Sequence, residues 1–188
     1  MIEADGRNER WIKVSIGLMR FEPHMMPLVQ QLGRLDVRLI LADATWIETT
    51  RKKNANPNDG DALHEHITQS YLWVLGAYEV VRTLWEMMKD GKDNVPADVV
   101  DHFQRVKKRF ARVRMPLAKM QPASGFSEDS HVAYPGLHQE YGVAWQLNGT
   151  TILSRRELSD AFLEALEAAR VAKLRQQASL ADGGTIKE

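Results

Sequence analysis

Two histidines and a tyrosine in the middle of the chain are the side chains best suited to acid-base chemistry. His131, Tyr134 and His138 lie in the segment 121–153, which is too long for a simple connection between packed helices. Imidazole titrates near neutral pH and also binds metals, so these residues could build a site on a loop held by a rigid scaffold. Loops also collect polar residues without any function. We therefore treat the three residues as candidate catalytic residues only.

A second candidate site is the basic face of a helix predicted to follow Pro96. Residues 92–121 include eight basic and three acidic side chains. The candidate anion-binding or nucleic-acid-binding residues are Arg105, Lys108, Arg109, Arg112 and Lys119. Such a row could follow a phosphate backbone or hold an acidic protein partner. The alternative is a solvated outer face, which is favoured because no aromatic residues interleave with the charges.

Two aspartates on another predicted helix form the third candidate. Asp36 and Asp43 lie seven residues apart beside a stripe of leucines, where a buried carboxylate is costly unless it is paired. A close carboxylate pair could bind a metal ion or serve as acid and base. The simpler expectation is that each aspartate meets a cation from a neighbouring helix, with His66 and Arg82 available. Asp36 and Asp43 are the metal candidates on this helix, and we expect no cofactor.

The composition is that of an ordinary globular chain. Of the 188 residues, 44% are hydrophobic and 27% are charged, and the formal net charge is zero. Cysteine is absent, which excludes disulfides and a cysteine nucleophile and favours a cytoplasmic protein. The longest apolar stretch, Tyr71 to Tyr78, is far shorter than the roughly 20 residues that a bilayer requires. We therefore predict a single domain over residues 1–188 without a membrane span.

Hydrophobic periodicity predicts the helices that position these candidates. Residues 28–120 should form three helices, over 28–53, over 61–89 and from residue 96 onward, because apolar residues recur at spacings of three and four. The helix over 61–89 is apolar around more than half of its circumference. We expect it to be the buried centre of the domain.

Helix ends are marked by particular residue types. Pro116 should kink or fray the third helix, since an interior proline loses a backbone donor. A fourth helix should run over 154–178, because Ser154 and Glu157 have the spacing of a capping box. Residues 179–188 should form a frayed tail.

Part of the segment 121–153 is predicted to be a β-hairpin. Residues 143–147 alternate between apolar and polar, Asn148-Gly149 favours a two-residue turn, and residues 150–153 could return as the partner strand. The N-terminal segment 1–27 could add a third strand over residues 11–19, although a short helix is the other interpretation.

The predicted fold is therefore mainly α. It is a four-helix, bundle-like domain with a central buried helix and a small antiparallel β-hairpin element, which an N-terminal strand would extend to an α+β fold.

The composition favours a non-enzymatic interaction protein that self-associates. Five tryptophans and eight methionines, many on the first two predicted helices, offer more apolar surface than four helices need. We therefore expect a homo-oligomer, with an acidic protein or a nucleic acid as a further partner. The alternative is a nucleic-acid-associated protein or nuclease-like enzyme that uses the basic face and the loop histidines. That alternative predicts nucleic-acid binding that weakens steeply with salt.

Overall fold

The computed structural model describes residues 2–19, 22–52, 59–91 and 95–183, and those ranges form five helices and one three-stranded sheet. In chain order the elements are α1 (Ile2–Leu18), α2 (Met25–Arg51), α3 (Asp59–Lys89), α4 (Ala97–Lys119), β1 (Tyr134–His138), β2 (Gly142–Gln146), β3 (Ile152–Ser154) and α5 (Arg155–Gly183). The prediction of a mainly helical fold with a small antiparallel β element is confirmed.

The N-terminal segment is a helix, so of the two interpretations of residues 11–19 the helix is confirmed and the strand is wrong. The apolar residues of this helix lie on two different faces. Val14 and Leu18 are buried, whereas Ile12 and Ile16 are exposed. Val14 and Leu18 lie four residues apart and therefore share one face of α1. This helix packs against α2 and α5.

The close contact between α1 and α2 depends on Gly33. The side chain of Trp11 lies over this glycine, and a Cβ atom on Gly33 would be only 2.6 Å from the Cβ of Trp11. Because that position has no side chain, the indole reaches the surface of α2 beside Asp36. Gly33 thus determines where the N-terminal helix docks.

The core is organised by a series of aromatic contacts between helices. Trp11 and Phe162 have ring centroids 5.5 Å apart, Phe162 and Phe110 are 6.1 Å apart, and Phe110 and Trp73 are 6.0 Å apart. Edge-to-face and tilted pairs of this kind stabilise a core beyond the area that they bury. Helix α3 contributes buried residues from His66 to Met88. Helix α5 shares the central position, since it packs against α1, α3, α4, β2 and β3.

Helix α5 extends further than its sequence predicts, whereas α4 ends within the range predicted for it. Helix α4 continues through Pro116 to Lys119, so the loss of one backbone donor does not end it. Helix α5 extends to Gly183, and residues 179–183 are therefore helical rather than frayed. The rest of the predicted tail, residues 184–188, lies outside the described residues. Among the helices in the described ranges, none combines the length and apolar character needed to cross a membrane.

The predicted hairpin is present, with a wider turn than expected. Strands β2 and β3 pair antiparallel with Gln146 opposite Ile152, so residues 147–151 form the connection. Oδ1 of Asn148 accepts hydrogen bonds from two backbone N–H groups of this connection, at 3.0 and 2.8 Å. An asparagine side chain that mimics a backbone turn therefore closes the hairpin, instead of a two-residue glycine turn.

The third strand is β1, from the segment that was predicted to be a loop. It pairs antiparallel with β2, with His138 opposite Gly142, and the sheet order is β1-β2-β3. Val143 and Trp145 bury one face of the sheet in the core. Alternate residues point to the other face, which forms part of the candidate site.

Candidate functional site

A network of buried charges joins α1, α2 and α5. Asp36 on α2 accepts hydrogen bonds from Nε of Arg7 at 2.6 Å and from Nη1 of Arg155 at 2.5 Å. The indole N–H of Trp11 donates a third hydrogen bond at 2.9 Å. Arg7 also donates to the hydroxyl of Ser159 on α5. Asp36 therefore holds α1, α2 and α5 together.

Asp43 extends the network to α3 and the sheet. Its Oδ2 accepts a hydrogen bond from Nη2 of Arg155 at 2.8 Å, and its Oδ1 lies 2.8 Å from Nε2 of His66. The backbone N–H of Val143 also donates to Oδ1, at 3.0 Å. Gly142 leaves room for this arrangement, because a Cβ atom there would overlap the side chain of Asp43. Asp43 therefore fixes β2 against α2.

Neighbouring positive charges keep Asp36 ionised in the core. Burial alone would raise the pKa of Asp36, but the charges of Arg155 and Arg7 outweigh burial and hold this pKa below its usual value. The planar donor fork of an arginine suits a carboxylate partner. Nε of Arg155 is the one donor of this network without a partner in the described part of the chain.

The same arginines determine whether the two aspartates could hold a metal ion. Asp36 and Asp43 are connected through Arg155, and a cation bound between them would be repelled by Arg7 and Arg155. Within the ranges that the structure covers, no three histidine, aspartate or glutamate side chains are grouped so as to hold a metal ion. The geometry suits an ion network that holds helices together rather than a metal centre.

Of the two residues predicted to pair with the aspartates, one does so. His66 contacts Asp43, as the sequence suggested. Arg82 instead forms ion pairs with Glu79 and Glu86 on the same helix, at 3.0 and 2.7 Å, with all three side chains well exposed to solvent. Sequence reasoning missed the arginines of α1 and α5, because their approach to α2 depends on the tertiary fold.

The open face of the sheet and the end of α2 enclose a cleft of about 640 Å³. We call it the sheet-face cleft. Its floor includes the small residues Gly136 and Ala144. The polar side chains that line it are Arg51, Tyr134, His138, Gln139, Glu140 and Gln146. Its volume lies within the range of roughly 300 to 1,000 Å³ that is typical of small-molecule sites.

The hairpin turn between β1 and β2 fixes the ring of His138. Nδ1 accepts hydrogen bonds from the backbone N–H groups of Glu140 and Tyr141, at 3.2 and 3.3 Å. A neutral imidazole that accepts at Nδ1 carries its proton on Nε2, so Nε2 is a hydrogen-bond donor. The ring also stacks on Tyr141, with centroids 5.0 Å apart. The turn thus sets both the orientation and the tautomer of His138.

Two of the three predicted loop residues line the sheet-face cleft. Tyr134 and His138 lie on the same face of β1, four residues apart. His131 precedes the strand, is exposed and does not line the cleft. Arg51 was not predicted as a site residue. Its place in the last turn of α2 gives no sign in the sequence that a strand from residue 134 onward will lie beside it.

The basic face of α4 is separate from this cleft. Some of its basic residues are exposed without an ion pair in the described ranges, and others contact neighbouring elements. Arg105, Lys108 and Lys119 are exposed and form no ion pair within the described residues. Arg109 lies 3.9 Å from Glu157 of α5. None of the five predicted basic residues lines the sheet-face cleft. Nucleic-acid binding by this face stays a prediction.

Arg112 is the fifth residue of that predicted row, and it holds the segment between α4 and β1. It donates to both carboxylate oxygens of Asp129, at 2.5 and 2.8 Å, and its guanidinium lies 4.4 Å from the ring centroid of Phe126. Asn148 donates a further hydrogen bond to Asp129 at 2.7 Å. Arg112 is thus part of the scaffold, and a charge-removal test of the basic face should leave it unchanged.

Acid should destabilise the fold through these buried aspartates. Hydrogen bonds from Arg112 lower the pKa of Asp129, and the pKa of Asp36 is also lowered. A carboxyl group whose pKa is lower in the folded state stabilises the fold above its unfolded pKa, and this contribution is lost as the pH falls through the folded value. The free energy of unfolding in urea should therefore decrease from about pH 6 to about pH 2.

The variant Asp129→Asn isolates one of these groups. It should reduce the slope of stability against pH at the acidic end, because one depressed carboxyl pKa is removed. The exposed carboxylate of Asp101 provides a control, and Asp101→Asn should leave the profile close to that of the wild type. Identical profiles for the wild type and Asp129→Asn would contradict the assignment.

A scan against protein-family models found no match, and searches of curated proteins and of solved structures found none either. The geometry of the cleft is therefore the evidence for function.

Proposed function

We propose that this protein is a non-enzymatic binding protein whose sheet-face cleft holds an anionic ligand such as a carboxylate. The observation that carries the proposal is that Arg51, Tyr134 and His138, three hydrogen-bond donors from two elements, line one cavity. An arginine fork suits the planar geometry of a carboxylate. Gly136 has no side chain and Ala144 only a methyl group, so the floor of the cavity stays open to the ligand.

The arrangement favours binding over catalysis. A general base or an activated nucleophile needs a partner side chain that sets its protonation and orientation. His138 is held by backbone N–H groups, and neither His138 nor Tyr134 is hydrogen-bonded to a carboxylate in the described residues. His131, the other candidate base, does not line the cleft.

Isothermal titration with benzoate tests the proposal. We expect the wild type to bind benzoate and Arg51→Gln to bind it at least about tenfold more weakly, since a hydrogen bond to a charged group contributes about 1.5 to 3 kcal/mol. Gly136→Leu should abolish binding by filling the floor. A Cβ atom at Gly136 meets no atom within 4 Å, so this substitution should not disturb folding.

Arg105→Gln is the matched control, because it removes an exposed arginine that lies outside the cleft. Its affinity for benzoate should equal that of the wild type. If the wild type fails to bind benzoate, or if Arg51→Gln and Gly136→Leu bind it as the wild type does, the cleft is not the site.

Self-association is a second candidate function, supported by a surface between α1 and α5. Ile16 and Leu174 are 53% and 44% exposed and line a shared groove. Apolar residues grouped on a surface favour partner contacts. The number of tryptophans in the sequence gives weaker support for self-association, because Trp11, Trp73 and Trp145 are buried in the core.

Light scattering at micromolar concentrations tests this second candidate. A dimeric wild type should become monomeric in the double variant Ile16→Glu/Leu174→Glu, because each substitution would place a charge in the interface. Leu72→Glu changes an exposed leucine outside that groove and should leave the dimer intact. A wild type that is monomeric throughout would rule out self-association.

A further inference from the structure

The outer edge of β1 is an open strand edge. In the order β1-β2-β3, β1 is hydrogen-bonded to β2 along one side only. No backbone hydrogen bond from the described residues reaches its other side. In an antiparallel ladder, alternate residues turn their N–H and C=O groups to opposite sides of the strand. The outer side of β1 therefore keeps unpaired donors and acceptors.

The other edge of the sheet is less accessible. Strand β3 has only three residues, Ile152–Ser154, and leads directly into α5. The predicted capping box is formed there, because the backbone N–H of Ser154 donates to Glu157 at 2.9 Å and the N–H of Glu157 donates to Oγ of Ser154 at 3.1 Å. A short strand that is joined to a helix offers little length for another chain. β1 is thus the edge to which a strand could add.

A groove lies between α2 and the C-terminal end of β1. Ile47, Thr50 and Arg51 of α2 line one side, and residues 137–139 line the other. The groove has a volume of about 230 Å³. It shares Arg51 and His138 with the sheet-face cleft, so the two cavities adjoin. Together the two adjoining cavities provide space next to β1 for an extended chain.

We propose that the ligand is a short extended peptide that adds as a fourth strand along β1, with its terminal carboxylate at Arg51. This inference rests on the proposed function of the cleft. Strand addition would give the unpaired N–H and C=O groups of β1 their missing partners. Arg51 is exposed and forms no ion pair in the described part of the chain, so its charge complements a carboxylate.

The sequence of β1 limits the length of the peptide. The strand covers Tyr134–His138, and Pro135 has no amide hydrogen to donate. Tyr134, which is 62% exposed, also lines the cleft and can contact a side chain of an added strand. At about 3.3 Å per residue, a peptide of about four residues matches the length of β1.

Calorimetry of the full chain with an acetylated tetrapeptide of valine and threonine, ending in a free carboxylate, tests the inference. Two further peptides carry one N-methyl group each, on neighbouring backbone nitrogens. Only one of these nitrogens can face β1, because alternate amides of a strand point to opposite sides. We expect one methylated peptide to bind at least about tenfold more weakly than the parent, and the other to bind within about threefold of it.

The carboxylate is tested by a fourth peptide with a C-terminal amide, which should bind the wild type as weakly as the parent peptide binds Arg51→Gln. Equal affinity of both methylated peptides would overturn strand addition. Benzoate binding in that case would show that the cleft still holds an anion, whereas loss of both peptide and benzoate binding would remove the proposed function as well. A dimer formed by paired β1 edges, which Gly136→Pro disperses and the peptide does not, would also overturn the inference.

Discussion

Replacing Arg155 with methionine should lower the free energy of unfolding by about 3 to 5 kcal/mol. Arg155 is fully buried and donates to Asp36 at 2.5 Å and to Asp43 at 2.8 Å. Methionine fills a similar volume but leaves two buried carboxylates short of a cation, and an uncompensated buried charge is costly. Urea denaturation followed by circular dichroism measures the change.

Arg156 provides a matched control in the next position of the chain. Its side chain is 23% exposed and lies 3.2 Å from Asp160 on the same helix. Arg156→Met should therefore cost less than about 1 kcal/mol. The loss of unfolding free energy for Arg155→Lys should lie between those for Arg155→Met and Arg156→Met, because a single ammonium group lacks the fork that bridges two carboxylates. Equal losses for Arg155→Met and Arg156→Met would contradict a central role for the network.

Replacing Gly142 with alanine should cost roughly 2 to 6 kcal/mol. Its φ is 72°, in a region that other residues adopt only with strain, and a Cβ atom there would overlap the side chain of Asp43. The alanine would thus displace the carboxylate that binds His66 and the backbone of β2. The expected loss of stability combines the backbone strain at position 142 with the displacement of Asp43.

Gly149→Ala separates this effect from the general cost of losing a glycine. Gly149 lies in the connection between β2 and β3, its φ is not positive, and a Cβ atom there meets nothing within 4 Å. We expect its stability to remain within about 1 kcal/mol of the wild type. A similar small change for Gly142→Ala would show that Asp43 does not hold β2 in place.

The buried network could be predicted from the sequence only in part. The cost of burying a carboxylate indicates that Asp36 and Asp43 must be paired, and His66 is a correct partner for Asp43. The partners Arg7 and Arg155 are 29 and 119 residues away from Asp36 in sequence. Local periodicity carries no information on contacts at that separation, so these arginines could not be identified.

The secondary structure predicted from the sequence also differs from the observed one where tertiary contacts decide the conformation. Residues 11–19 alternate in a way that fits either a strand or a helix, and the choice depends on the fit of Trp11 against Gly33. Strand β1 contains Pro135 and Gly136, which are poor strand residues, and its pairing with β2 holds it in the sheet. In both segments tertiary contacts decide the outcome.

Only some of the residues that line the sheet-face cleft could be predicted from the sequence. Tyr134 and His138 are suggested by their chemistry, and their even spacing would place them on one face of a strand. Arg51 joins them only because the end of α2 lies over the open face of the sheet. The basic face of α4 is the opposite case, since its residues are easily found in the sequence yet do not converge with the cleft residues.

Amide chemical-shift mapping with the acetylated tetrapeptide tests whether the sheet-face cleft binds a ligand. Binding there should produce shifts concentrated at residues 134–138, at residues 142–146 and around Arg51, with α4 unchanged. Shifts concentrated on α4 around Arg105 and Lys108, or spread without a focus, would contradict it.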